Sequence, residues 1–236
     1  MKAQFTIETA TLDEWRSFFV RARVVSETTQ IWRTRETPHF NTFQALGIVR
    51  KETIHSRWLA FLLNPRETHE LGAKFLKLFL GKISDFGGTE LTALAGSSWE
   101  IRTEEAGTEV AGTDEDRLDI TLRCEEHGVA IFIENKVDAN FQPRQLERYA
   151  GFLDGMAKRF PKRWLVVLAP ARHLAKPEIR IQICDVQRKC KGTPLGIREL
   201  TYEDDILPCL ESVLEGTHSD QLKIFIEHYI KTIYWL

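Results

Sequence analysis

Three residues in the middle of the chain have the types and spacing that chemistry needs: Asp119 in the run DRLDITLRC, and Glu134 and Lys136 in the run IFIENKVDA. Strand side chains alternate faces, so Phe132, Glu134 and Lys136 point one way while Ile131 and Ile133 point the other. A hairpin turning at Glu126-His127 places Asp119 as far before the turn as Glu134 lies after it. The two carboxylates then face each other on one side of the sheet, where they repel unless a counter-charge lies between them. A divalent cation removes that penalty, and donors that are all oxygen suit Mg²⁺ or Mn²⁺. With Lys136 on the same face, the set is what phosphodiester hydrolysis requires. The cation polarises a phosphoryl oxygen and acidifies an attacking water; the ammonium holds that water and offsets charge in the transition state. A Glu-x-Lys tripeptide alone occurs by chance on the order of once in a chain this long, and reads equally as a surface salt bridge. The weight lies on Asp119 standing opposite it.

Two further positions join these by periodicity. Gln145 and Tyr149 are four residues apart and share one helix face, where an amide and a phenol can hold a phosphate or the lysine; the plainer reading is an amphipathic helix with Tyr149 half-buried. Glu52 falls on the helical stripe of Val49, Ser56, Ala60 and Leu63, where a carboxylate is costly unless it is paired or bound to metal. It is either a third ligand or the partner of a nearby base such as Arg117. Lys51, Arg57, Arg144 and Arg148 are candidate phosphate contacts, with solvated surface charge as the alternative.

The elements that must position these residues can be read from pattern. Thr11 to Glu14 is a helix-start signal for a helix through about Thr28. The polar stretch 33–42, containing Pro38, reads as a loop. Helices are expected from Phe43 to Leu63 and from His69 to Leu80, the second stopped by Gly81, with 81–98 a connection. Strands follow at 98–105, 116–124 and 128–137, then a helix from Gln145 to Phe160 and a continuous apolar strand at 163–170. Residues 171–196 read as irregular, with a strand at IRIQIC. Thr201 caps a helix to about Glu215, and Ser219 starts the last one. The order is helices, then βββαβ, then helices: an α/β core with a mixed central sheet inside a helical frame. The domain division expected is an N-terminal helix and linker over 1–42 and one domain over 43–236.

Composition bounds the rest. The 236 residues are 43% hydrophobic and 28% charged, enough for one sizeable core. A net charge of −2 gives no global argument for a nucleic-acid partner, which would have to meet a local basic patch. Cys124, Cys184, Cys190 and Cys209 lack zinc-site spacing and read as reduced thiols of a cytoplasmic protein. The N-terminus lacks an apolar signal-peptide core, and no apolar run approaches the roughly 20 residues that span a bilayer, so no membrane partner is expected.

GTDEDRLDITL followed by VAIFIENKVDANFQPRQLERYAGFL resembles the PD-(D/E)XK superfamily of restriction-endonuclease-like nucleases, in particular a bacterial branch with an R-L-D-I, I-E-N-K and Q-L-x-x-Y signature. The resemblance implies an αβββαβ core and a DNA-cleaving, Mg²⁺- or Mn²⁺-dependent activity. Asp119 would be the metal-ligating acid of the second core strand, Glu134 the second acid, Lys136 the catalytic lysine and the backbone carbonyl of Asn135 a further ligand. Gln145 and Tyr149 match the pair on the following helix. Glu52 and Ser56 match a Glu-x-x-x-Ser on the first core helix, which often supplies an acid to the metal. His69 matches a histidine after a Pro-containing loop, with a capping or core-polar role as the alternative. Glu104 or Glu105, after the basic Arg102, matches an acid of the first strand. Leu118 replaces the proline of the literal Pro-Asp pair, as is usual in that branch. The resemblance is specific over 116–152, weaker over about 45–235, and does not reach 1–42.

The expected function is therefore a metal-dependent DNA nuclease. The alternatives are a catalytically silent nucleic-acid-binding or protein-interaction module on a nuclease fold, and a hydrolase of another phosphate ester. The apolar C-terminal helix is expected to pack on its own domain, with a homodimer as the other option.

Overall fold

The computed structural model describes residues 40–84, 91–106 and 117–236. The helix expected near Thr11–Thr28 and the side chains of Glu104 and Glu105 lie outside the described residues. Thr42–Leu236 forms one compact unit, built on a five-stranded sheet in the order β1-β2-β3-β4-β5. The strands are β1 Glu100–Ala106, β2 Arg117–Cys124, β3 Val129–Asn135, β4 Lys162–Ala169 and β5 Leu195–Thr201. β1, β2 and β3 are antiparallel neighbours; β3, β4 and β5 run parallel. The sheet is thus mixed, as expected, with its fifth strand at Leu195–Thr201 rather than at IRIQIC.

Helices close both faces. α1 (Thr42–Ala45), α2 (Glu52–Leu63), α3 (Lys74–Ser84), α7 (Leu207–Glu215) and α8 (Asp220–Ile233) supply one face. They pack on Ile120, Leu122, Ile131, Ile133, Val166 and Leu168. On the other face α4 (Gln145–Gly155) and α6 (Pro177–Cys190), with the short α5 (Ala171–Leu174) before it, cover Phe132, Leu165 and Val167. With helices on both faces, the parallel strands read as unbroken apolar runs: all of Arg163–Ala169 is buried.

Local chemistry explains where the structure departs from the pattern. The single helix expected over Phe43–Leu63 is broken. Gly47 takes a left-handed φ of 65°, and Ile48 N–H and Gly47 N–H return to Phe43 and Gln44 carbonyls, a glycine-closed helix end. The helix restarts at Glu52, which puts that acid in a first turn. The helix expected from His69 starts only at Lys74. Positive φ at Glu70 and Gly72 keeps the preceding segment non-helical, and the helix runs through Gly81 to Ser84. The connection at 81–98 contains a 3₁₀ turn over Leu91–Gly96 with Leu91 and Ala95 buried, and α4 stops at Gly155, short of Phe160.

The segment read as irregular with a strand at IRIQIC is helical. Ile179, Ile181 and Ile183 alternate, which mimics a strand, but Ile181 is 60% exposed while Ile179, Ile183 and Val186 are buried at helix spacing. Pro177 sits at the start of that helix, where its missing N–H costs nothing. The strand lies later, in LGIRELT, where Gly196 lets the chain pass Trp164: a Cβ there would fall 2.6 Å from the ring.

Thr201 does cap the turn that leads into α7, accepting from Asp204 N–H, but that turn is π-helical over Tyr202–Ile206. Ser219 caps α8 through Leu222 N–H. The C-terminal helix packs on its own domain through Leu222, Ile226, Tyr229 and Ile233. No described helix is long and apolar enough to cross a membrane.

Candidate active site

β2 and β3 join through a 3₁₀ turn over Glu125–His127, closed by left-handed Gly128. The register pairs Cys124 with Val129 and continues to Ile120 with Ile133. The next step in that alignment sets Asp119 against Glu134, the pairing that the hairpin arithmetic requires. At this end the ladder changes character. Asn135 N–H donates to Asp119 Oδ2 at 2.7 Å, so a carboxylate closes the hairpin where a carbonyl would otherwise do so.

Glu134 is 1% exposed. Its Oε1 accepts from Lys136 Nζ at 2.8 Å and from Gln145 Nε2 at 2.8 Å. Its Oε2 is buried with no hydrogen-bond partner. Burial first, and the charge of Asp119 second, push the Glu134 carboxyl up to about 8. Burial pulls Lys136 down, but Glu134, Glu52 and Asp119 outweigh it and hold the ammonium above its ordinary range.

Glu52 arrives from the other face of the sheet, at the first turn of α2. Its Oε1 accepts backbone N–H from Val137 at 2.9 Å, Asp138 at 3.3 Å and Ala139 at 3.1 Å. Its Oε2 lies 3.7 Å from Lys136 Nζ. The base it meets is therefore Lys136, not Arg117. Gln145 is fixed at both ends of its amide: Oε1 accepts from Gln142 N–H, and Nε2 also reaches the Tyr149 hydroxyl at 3.0 Å. Tyr149, 3% exposed, donates in turn to the Arg117 carbonyl. The two positions read from the helix period thus act as one brace between α4 and the carboxylate.

Asn135 points the opposite way, into the core. Its Nδ2 donates to Ser56 Oγ at 3.0 Å and lies 3.3 Å from the Glu52 carbonyl. Its Oδ1 accepts from Tyr202 OH at 2.7 Å. Tyr202 was not singled out by the sequence. It follows β5, the strand whose pattern was missed, and no local signal marks a phenol that must reach across the sheet.

Not every expected residue joins the cluster. The His69 ring spans a turn, with Nε2 at 2.9 Å from the Asn64 carbonyl and Nδ1 accepting from Leu71 N–H, which is its capping reading. Arg57 borders an apolar hollow with Phe43, Trp58 and Phe225. Arg148 caps local groups, Pro143 carbonyl and Gln142 Oε1. Arg144 pairs with Glu147 and remains largely exposed, and Lys51 is exposed beside Glu52.

With its acids ionised, the cluster sets three carboxylates (Glu52, Asp119, Glu134) around one ammonium. Among the described residues these carboxylates outnumber the ammonium they meet, an excess of negative charge that a divalent cation offsets. The unpartnered Glu134 Oε2 beside Asp119 offers a buried oxygen that such an ion would satisfy, and every donor is hard oxygen. The residues present fit Mg²⁺ or Mn²⁺.

Compared with models of known families, residues 40–231 match one described as the PD-(D/E)XK nuclease superfamily. No curated protein and no solved structure matches the chain.

Proposed function

The chain belongs to the PD-(D/E)XK nuclease superfamily, and from that membership we propose that it hydrolyses DNA phosphodiester bonds with the help of a divalent cation, Mg²⁺ or Mn²⁺. The observation that carries the proposal is Glu134: a fully buried carboxylate with one unpartnered oxygen, opposite Asp119 and touched by Lys136. A buried carboxylate with one oxygen left unpartnered costs free energy even when the other is paired, and a divalent cation at Oε2 would offset that cost.

In this reading Asp119 and Glu134 would hold the ion, with the Asn135 carbonyl and Glu52 as further ligands. When bound, the ion supplies Lewis acidity to a phosphoryl oxygen and neutralises its charge. Lys136 orients the attacking water and meets charge that develops in the transition state. Gln145, locked by Gln142 and Tyr149, keeps Glu134 Oε1 on the lysine side and would leave Oε2 for the ion. Glu52, fixed by three backbone amides, keeps the lysine from leaving its place.

DNA as substrate is supported by the family and by basic groups at the rim. Lys51 and Arg144 directly precede Glu52 and Gln145, and Arg50 and Arg172 both reach Asp138. Plasmid nicking with Mg²⁺ or Mn²⁺, comparing wild type with Glu134→Ala and Lys136→Ala, tests the assignment. Equal cleavage by all three would remove it. RNA and nucleotide esters run in parallel decide the substrate class.

A further inference from the structure

A chain of buried polar side chains runs from the core to the back of the candidate site. His55 is fully buried, and burial holds its imidazole below the ordinary range and therefore neutral. Its Nε2 lies 2.8 Å from the Val49 carbonyl, an acceptor only, so the ring proton is there. Nδ1, at 3.0 Å from Tyr229 OH, must then accept that hydroxyl's proton. Tyr202, also fully buried, packs edge-on against the same imidazole.

The orientation of the Asn135 amide is fixed by the same proton count. Ser56 Oγ donates its proton to the Glu52 carbonyl, so it can only accept from Asn135 Nδ2. The amide oxygen therefore faces Tyr202, and the Tyr202 hydroxyl donates to it at 2.7 Å. A core of this kind could bury phenylalanine in place of tyrosine and avoid the cost of desolvating a hydroxyl. The hydroxyl is kept at the one place where it holds the strand residue between Glu134 and Lys136.

Resting on the nuclease reading of this site, we propose that Tyr202 is a positioning residue for the active site. It clamps Asn135 from the side of the sheet opposite the ion. The clamp fixes the Glu134–Asn135–Lys136 backbone and, through it, the Asn135 N–H that aims Asp119. Glu134 and Lys136 alternate with Asn135 along the strand, so one core hydrogen bond sets both.

The test is Tyr202→Phe, which keeps the ring and removes only the donor, with Tyr229→Phe as a comparison that removes the hydroxyl beside that of Tyr202 and leaves the Tyr202–Asn135 bond in place. Two readings are taken. Amide hydrogen exchange at Asn135 and Lys136 in metal-free protein reports the clamp itself. Mn²⁺ calorimetry reports its effect on the site. In Tyr202→Phe, exchange at those two amides is expected to speed up and Mn²⁺ affinity to fall by about tenfold, as for other groups that hold a ligand in place. Tyr229→Phe is expected to change both less. Asn135→Ala, which leaves the backbone donors intact but also loses the bonds of Nδ2, should be at least as damaging as Tyr202→Phe, and the double variant should be no worse than Asn135→Ala alone. Unchanged exchange and affinity in Tyr202→Phe, or additive effects in the double variant, overturn the proposal while leaving the nuclease reading intact. Wild-type protein that binds no Mn²⁺ overturns the nuclease reading instead, and with it the catalytic purpose of the clamp.

Discussion

The two ends of the β2–β3 hairpin each gather groups that bind metals, and they differ in a way that distance alone does not reveal. At the turn, Cys124, Glu126 and His127 bring one ligand atom each within 4.8 Å of one another. At the other end Glu52 and Glu134 both meet the Lys136 ammonium, at 3.7 and 2.8 Å. Yet Glu126 and His127 are exposed, and the His127 ring already meets Glu126 Oε1 at 3.0 Å and Ser97 Oγ at 3.0 Å. Water and neighbours satisfy that end. At the site end a buried carboxylate keeps an oxygen unpartnered and its carboxyl sits near 8. What marks a site is unmet electrostatic need in a place that water cannot reach, and of these carboxylates Glu134 has it.

The widest separation between the ends is expected in cleavage. Glu134→Ala and Lys136→Ala should each lower metal-dependent nicking by on the order of 10²–10³-fold, as expected when a group that meets transition-state charge is lost. Glu126→Ala and His127→Ala should leave it within about twofold. The comparison fails if the turn variants fall as far as the site variants.

Stability against pH gives the next largest contrast. Glu134 binds a proton more tightly folded than unfolded, its value rising from 4.5 to about 8. Between those values the native state holds more protons, so unfolding free energy falls as pH rises through the window, by a few kcal/mol for a group this buried. Urea unfolding of metal-free protein at pH 6 and pH 8 should show that loss, and Glu134→Gln should abolish it. Mn²⁺ should restore stability at pH 8, because the ion takes the place of the proton. A loss of the same size in Glu134→Gln would assign the slope to another group.

Gln145 should sharpen the site end further. Gln145→Ala frees Glu134 Oε1 from one of its two donors, and Mn²⁺ affinity by calorimetry is expected to drop about tenfold. Tyr149→Phe, which loses the hydroxyl between Gln145 Nε2 and the Arg117 carbonyl but leaves the Gln145–Glu134 bond, should fall by less. If Tyr149→Phe is the more damaging, the brace acts through β2 rather than through Glu134.

Much of this was legible in the sequence because it is local or nearly so. The hairpin register follows from turn position and alternation, so Asp119 and Glu134 could be opposed by counting. The Gln145 and Tyr149 pair follows from the helix period. Glu52 stood out as a charge on an apolar stripe. What escaped detection depends on partners far along the chain. IRIQIC alternates like a strand, yet its helix is selected by packing against α4 and the sheet. LGIRELT lacks an apolar run because only its ends, Leu195 and Leu200, are buried. With that edge strand unread, Tyr202 had no place in the fold, and its bond to Asn135 spans 67 positions. The break at Gly47 was within reach, since glycine is the residue that closes a helix in the left-handed region.

The smallest effect belongs to the turn itself. His127→Gln keeps a donor toward Ser97 and removes any charge shared with Glu126. Both side chains are substantially exposed, at 39% and 53%, so the pair is screened by solvent and worth under about 0.5 kcal/mol. Urea unfolding of His127→Gln should therefore match wild type within that margin, with or without Mn²⁺. A Mn²⁺-dependent stabilisation present in wild type and lost in His127→Gln, but kept in Glu134→Gln, would reverse the comparison and move the ion to the turn. The same titration with both variants is therefore decisive: one ion, two ends of one hairpin, and a stabilisation that must follow the buried carboxylate.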